Sequence, residues 1–387
     1  MNYFVNRFIL LCLKTLYKGV FLFLYGITQY SMKNIKLKKL EDGSMVGKKK
    51  IFKTVLVGIL AVSLLAGCGA QPTASGNEAN NGASEEKNSV LKIGISQLVE
   101  HPALDASREG FIAALEENGF KDGENIEIEF QNAQGDIATT QTIASNFLAD
   151  KKDLILAIAT PAAQAAYNIT QEIPILITAV TDPVEAGLVK SWEKTGTNIA
   201  GTSDMNPVEE QLELLKQLIP TAKKVGILYN TSELNSEIQI NKVEELAPNF
   251  DLTVEKTGVT NVNEIPQALQ ELLNKVDVIY VPTDNLVASA MPLIVNETMG
   301  RKIPIIGSES AHVNAGALAT EGISYYNLGF QTGLMAIDII NGKAPQDMSV
   351  DTLKETQLII NEDAAEKLQI NIPEELKESA ELIKGGE

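Results

Sequence analysis

From Val90 onward, short apolar runs rich in Ile, Val and Leu alternate with longer stretches whose apolar positions recur every three to four residues. The short runs predict strands at "LKIGIS" (91–96), "IEIEFQ" (126–131), "LILAIA" (154–159), "PILITAV" (174–180) and "IAGTS" (199–203). A second series follows at "KVGILYN" (224–230), "LTVEKTG" (252–258), "DVIYVP" (277–282), "IPIIGS" (303–308) and "GALATE" (316–321). Several runs lack polar alternation, the pattern of parallel strands covered on both faces. Between them lie helical patterns. "ALDASREGFIAALEENGF" ends at Gly119, and "NPVEEQLELLKQLIP" has Asn206 as a cap, Pro207 in the first turn and Pro220 at its end. Strand–helix alternation in two successive series predicts an α/β fold of two doubly wound, parallel-sheet lobes.

Such sheets place their functional loops beyond the carboxyl ends of the strands, so two lobes facing one another make a cleft lined by those loops. The segments after the strands carry Glu100, Asp182, Asp204, Glu233, Asp284 and Glu309. A cluster of carboxylates at one cleft suits a ligand with a cationic group such as an α-amine; the alternative is that about half of them cap helix N-termini. Thr160-Pro161-Ala162-Ala163 reads as a helix start with Thr160 as cap and the amides of Ala162 and Ala163 free for an anion. Asn230-Thr231-Ser232-Glu233 offers a similar start in the second series. From Cys68 onward the only arginines are Arg108 and Arg301, so a carboxylate ligand is expected to be held by amides and hydroxyls. Amine and carboxylate recognition together describe an amino acid. The candidates are Gln97, Glu100, Thr160, Ala162 and Asp182 from the first lobe, Asp204 at the crossing, and Ser232, Glu233, Asn235, Thr283, Asp284 and Glu309 from the second. One of Asp182 and Asp284 is expected to take the amine; the Thr160 helix start or Ser232 is expected to take the carboxylate.

The pattern changes before Val90. Lys48-Lys49-Lys50, the apolar run Val55–Leu65 and Leu65-Ala66-Gly67-Cys68 have the order of a bacterial lipoprotein signal, with Cys68 as the lipidated residue. Residues 45–67 then form the signal peptide, and 68–89, almost free of apolar residues, a flexible tether. The apolar part of residues 1–44 is interrupted by Lys14 and Lys18. We read these residues as an upstream extension with translation starting at Met45; the alternative is a genuine extra membrane segment.

Charge narrows the partners. From Cys68 onward, 21 Lys and Arg face 48 Asp and Glu, a net charge of −27, which repels nucleic acid and anionic headgroups. Cys12 and Cys68 are the only cysteines and His101 and His312 the only histidines, which removes cysteine catalysis and zinc–cysteine or multi-histidine sites. No cofactor is expected. An enzyme reading rests on Ser308 and His312, without a Gly-x-Ser-x-Gly elbow. A transcription regulator would need a basic helix-turn-helix, where this chain has an export signal and an acidic body.

The motifs "GISQLVEHPALDASREGF", "ATPAAQAA", "VTDPVEAGLV", "GTSDMNP", "ILYNTSELNS", "VPTDN" and "GISYYNLGFQTG" resemble those of ABC-transporter substrate-binding lipoproteins of the tryptophan/tyrosine-type (TrpX-like) family. The resemblance spans residues 90 to about 370. It implies a type I periplasmic-binding-protein fold with three hinge crossings, near 203–205, 323–326 and 343–346. Lobe 1 is then 90–204 plus 325–344, and lobe 2 is 205–324 plus 345–387. It also implies an aromatic amino acid as ligand, with Tyr326 in "GISYYNLG" as a stacking wall. The protein is expected to be an exported monomer, lipid-anchored to the outer face of the bacterial cell membrane, that passes its ligand to a separate permease and ATPase. A sugar or other small solute on the same fold is the alternative ligand.

Overall fold

The computed structural model describes residues 90–385. The first series forms β1 (Leu91–Gln97), α1 (Pro102–Glu117), β2 (Ile126–Asn132), α2 (Ile137–Ala149), β3 (Leu154–Ile158), α3 (Thr160–Ile169), β4 (Ile175–Val180) and β5 (Ile199–Ser203). The second forms α4 (Val208–Leu218), β6 (Lys224–Asn230), α5 (Leu234–Leu246), β7 (Thr253–Val259), α6 (Ile265–Leu273), β8 (Val278–Val281), α7 (Asn285–Ser289), α8 (Met291–Gly300), β9 (Ile305–Gly307), α9 (Ser310–Asn314) and β10 (Ala319–Gly322). Then follow α10 (Tyr325–Ile340), β11 (Val350–Thr352), β12 (Gln357–Asn361), α11 (Glu362–Leu368), α12 (Glu374–Ser379) and β13 (Glu381–Ile383).

The strands make two sheets, in the orders β11-β5-β4-β3-β1-β2 and β13-β12-β10-β9-β8-β6-β7. All pairs are parallel except β10 with β12. The fold is therefore α/β with two parallel-dominated sheets. β3, β4, β8 and β9 are buried at every position, as their unbroken apolar runs predict. Each sheet has an apolar core on both faces: around Phe111 and Phe147 in the first lobe, around Leu215 and Leu269 in the second.

The crossings follow β5, β10 and β11. β11 pairs with β5 in the first sheet, so residues 350–352 run with lobe 1 and the third crossing falls at 353–356. That corrects the sequence-based boundary at 343–346. Asn206 does not cap α4 either: its side chain donates to the Asp204 carbonyl at 3.0 Å, and Pro207 occupies the cap position.

Close packing of α1 on α10 fixes the cleft side of lobe 1. A Cβ on Gly329 of α10 would collide with the Ser107 carbonyl, and one on Gly110 of α1 with the Tyr326 carbonyl. Glycine at these positions lets the two backbones touch. Gly329, the second glycine of "GISYYNLG", is therefore a helix-packing residue. This contact sets the first residue of α10, Tyr325, against α1, whose Ser107 Oγ donates to the Tyr325 carbonyl and whose N-cap position is held by His101 without a side-chain capping bond.

Candidate functional site

The carboxyl ends of both sheets meet at a small closed cavity. From lobe 1 and its hinge come His101, Leu104, Ala179, Asp204 and Tyr325. From lobe 2 come Asn235, Thr283, Asp284, Asn285, Ala288 and Glu309. The cavity is about 10 Å³, the room of about one water. A ligand can enter only if the walls part. Two contacts span the lobes beside the cavity: His101 Nε2 lies 3.2 Å from Asn285 Oδ1, and Thr181 Oγ1 lies 3.4 Å from Thr283 Oγ1.

The local backbone explains why these side chains converge. A register shift in the β4–β5 ladder between Ile177 and Val180 accompanies a left-handed backbone at Ala179, with φ 56°. Ala159, at the end of β3, holds φ 80° and ψ 152°, a region used almost only by glycine. Its carbonyl accepts from the Ala163 amide at 3.0 Å, so one of the two amides expected to be free at this helix start is already used. Thr160 makes no cap; its Oγ1 is buried without a partner.

Four carboxylates lie within or against the cavity, in two different conditions. Glu233 accepts five N–H donors: Asn230 Nδ2, the Leu286 and Asn285 amides, Asn235 Nδ2 and Asn285 Nδ2. Asp284 accepts from the Asn230 amide at 2.6 Å, Ser236 Oγ at 2.7 Å and the Val287 amide at 2.8 Å. These two hold lobe 2 together, and Asp284 caps α7. Asp204 and Glu309 differ. Asp204 accepts from Thr181 Oγ1 at 2.9 Å and from Tyr325 Oη at 2.8 Å. Glu309 lies on the other side of the same tyrosine hydroxyl, and its Oε1 has no hydrogen-bond partner.

Burial raises both Asp204 and Glu309 above the usual carboxylate range, Glu309 to about 8 with Asp204's charge as a further cause. Burial, then the charge of Glu233, also pushes Asp284 up. The histidines move the other way: burial lowers His101, and burial with the nearby charge of His101 takes His312 to about 3. Among the described residues no charged partner pairs with Asp204 or Glu309, and a cation placed there would let both ionise. Arg108 is occupied by Gln97 and Asp105, and Arg301 by Asn274, so neither supplies that cation.

The candidate residues divide accordingly. Asp204, Asn235, Thr283, Asp284 and Glu309 line the cavity. Glu233 lies behind it as the holder of Asn235 and Asn285. Gln97 is fully buried but turned to the start of α1, donating to the Val99 carbonyl and Asp105. Glu100 and Ser232 are exposed. Asp182 takes the Val184 and Glu185 amides at 2.9 and 3.0 Å and borders an outer groove with Pro207 and Lys242. Ala162 packs into the lobe 1 core. Tyr326 is 42% exposed and stacks on Phe330, while its neighbour Tyr325 faces the cavity. Cys68 lies outside the described residues. Sequence reasoning passed over His101, Asn285 and Tyr325. The available signals were a lone histidine directly before a helix-starting proline, and an asparagine directly after a capping aspartate.

The enzyme reading finds no support in the geometry. Ser308 Oγ and both ring nitrogens of His312 lack hydrogen bonds, whereas a serine nucleophile needs a hydrogen-bonded base. His312 Nε2 lies 3.2 Å from Glu309 Oε1, off the line of a hydrogen bond. Among the described residues no cluster of ligating side chains suits a metal ion, and no helix is long and apolar enough to cross a membrane.

The sequence profile of the ABC transporter substrate binding protein family matches residues 92–384. This chain belongs to that family. It is 51% identical over 344 residues, 88% of its own length and 96% of the relative's, to a tyrosine-binding protein of Clostridioides difficile. The ABC domain from Streptococcus pneumonia solved in complex with L-Trp is 39% identical, with a TM-score of 0.74 over 76% of this chain and 99% of that one. A ligand-free, open substrate binding protein with adhesive properties from Clostridium difficile is 55% identical over the same shares, yet scores only 0.60. A lower score at higher identity is what a different arrangement of the same lobes produces. The lobes of this substrate-binding protein are closed. Its type I periplasmic-binding-protein-like fold is shared with more distant neighbours, such as a Bacillus halodurans solute binding protein at 17% identity and TM-score 0.54.

Proposed function

We propose that this substrate-binding protein captures an aromatic amino acid, tryptophan, tyrosine or phenylalanine, between its lobes and delivers it to a separate ABC permease driven by its own ATPase subunits. The observation that carries the reading is the buried acidic pair Asp204 and Glu309, joined through Tyr325, both lining the cavity and with Glu309 Oε1 making no hydrogen bond. An α-ammonium supplies the missing charge and donors. The 51% identity to a tyrosine-binding protein and the structural likeness to an L-Trp complex support the aromatic side chain.

In this reading closure is stabilised only by the ligand's greater affinity for the closed form. The signal at 45–67 directs export, Cys68 carries the lipid, and 68–89 tethers a monomeric binding body to the outer face of the cell membrane. The protein performs capture rather than chemistry. Calorimetric titration of ligand-stripped protein with amino acids, monosaccharides and inositols tests it. Saturable binding of an aromatic amino acid, weakened by Glu309→Gln, supports the reading. Binding of a sugar and no amino acid overturns it.

A further inference from the structure

We infer that His101 is the specificity-determining residue for the ligand side chain, acting as a fixed hydrogen-bond acceptor, so that the ligand class is aromatic amino acids bearing a side-chain O–H or N–H. The inference rests on the amino-acid reading above and narrows it. It follows from a chain of hydrogen bonds with only one consistent proton assignment. Glu233 is an acceptor for five N–H groups, among them both the amide and Nδ2 of Asn285. Asn285 must therefore turn its NH2 to Glu233 and its carbonyl Oδ1 to His101; the flipped amide would set oxygen against carboxylate. His101 Nε2, 3.2 Å from that oxygen, must carry the proton. Burial keeps the ring neutral, so Nδ1 is a bare lone pair. It is buried, has no partner, and belongs to a residue 7% exposed that lines the cavity.

The rest of the cavity assigns this acceptor to the ligand's side chain. The acids that suit an ammonium, Asp204 and Glu309, meet at Tyr325, on the threads where the chain crosses between lobes. His101 and Asn285 form the contact between the start of α1 and the start of α7. Asn285 also borders an outer groove between Gly135 and Val262, and Leu104 and Ala288, three residues beyond His101 and Asn285, supply apolar wall. An aromatic amino acid with its ammonium on the acids thus carries its ring towards Leu104 and Ala288 and its polar tip towards His101. A phenol O–H or an indole N–H satisfies Nδ1. A phenyl ring leaves it buried and unpaired, and a site built around a hydrogen bond rejects the analogue that cannot make it.

The test is calorimetric titration of the ligand-stripped full protein with L-tyrosine, L-tryptophan and L-phenylalanine, in wild type and His101→Leu. In wild type, tyrosine or tryptophan is expected to bind at least about tenfold tighter than phenylalanine. In His101→Leu the ratio is expected to fall to within about threefold, through loss of affinity for the polar-tipped ligand. Equal wild-type affinities for all three, or a ratio unchanged in the variant, overturn the assignment of His101 while leaving the amino-acid reading intact. Absence of binding by any of the three overturns both. Because His101→Leu also removes a contact between the lobes, the tautomer is read independently from long-range ¹⁵N–¹H spectra of the wild-type complex. A proton on His101 Nδ1 overturns the inference, and an unprotonated Nδ1 shifted by tyrosine or tryptophan, but not by phenylalanine, supports it.

Discussion

The two walls of the cavity are built by different means. The lobe 2 wall is a hydrogen-bonded lattice in which Glu233 and Asp284 take eight donors and fix Asn235, Asn285 and the start of α7 before any ligand arrives. The lobe 1 wall has few such bonds. His101 and Tyr325 are held there by the glycine-mediated contact of α1 with α10, and Ala179 by a bulged strand end. Carboxylates at similar depth are therefore in different conditions: Glu233 and Asp284 are saturated with donors, and Glu309 keeps an oxygen without a hydrogen bond, the one the proposed function gives to ligand.

Glu233→Ala attacks the lobe 2 lattice directly. It should destabilise the protein by about 3–5 kcal/mol, the usual cost of breaking a buried charged network, seen as a lower denaturation midpoint. A fall of under about 1 kcal/mol would mean that wall is not held as described. Glu309→Gln should act oppositely, weakening amino-acid binding by about 10- to 150-fold, the loss of a charged hydrogen bond worth about 1.5–3 kcal/mol, while leaving the ligand-free protein no less stable. Gly329→Ala probes the lobe 1 wall: forcing α10 from α1 should cost about 1–3 kcal/mol and weaken binding through displacement of Tyr325 and His101. Wild-type affinity in that variant would separate the helix contact from the site.

A pH series sharpens the same contrast. Glu309, Asp204 and Asp284 have raised folded-state values, so the folded protein holds more protons than the unfolded chain as pH approaches about 8. Both histidines are lowered, so above their ordinary value of 6.5 they are neutral in both states and contribute no slope. Between pH 6.5 and 8 the melting temperature of ligand-free protein should therefore fall with rising pH, and saturating ligand, whose ammonium lets the acids ionise, should flatten the trend. A rising curve would show that the acids are already charged. The smallest expected effect is that of Asp182→Ala, within about threefold on affinity, because its carboxylate closes a local turn.

The ten strands predicted from apolar runs all form; the central parallel ones must be apolar on both faces, whereas β2 and β7, at the sheet edges, keep exposed polar positions. Three strands carry no such prediction: β11 and β13, "VDT" and "ELI", are three-residue edge strands and need no such pattern, while β12, "QLIIN", lies inside the second sheet and is its antiparallel member. The missed β11 displaced the predicted hinge crossing. The strand-end rule located the neighbourhood of the site, and Asp204, Asn235, Thr283, Asp284 and Glu309 all line the cavity. It could not tell a carboxylate that faces the cleft from one that folds back on its own amides, as Asp182 does. Nor could it choose between Tyr325 and Tyr326, since adjacent helical residues differ by about 100° in direction. That choice depends on how α10 rolls against α1, which is a tertiary fact.

The bond between Tyr325 and Asp204 lies where the second crossing meets the first. Points on the axis of a rotation move least, so this pair behaves as an axle. When the lobes swing apart, Glu309 and Asn285 travel with lobe 2, but Tyr325 and Asp204 keep their separation. On the proposed reading, an arriving amino acid then meets part of its ammonium site already assembled, and capture would proceed in order: docking at the axle first, closure of the far wall afterwards.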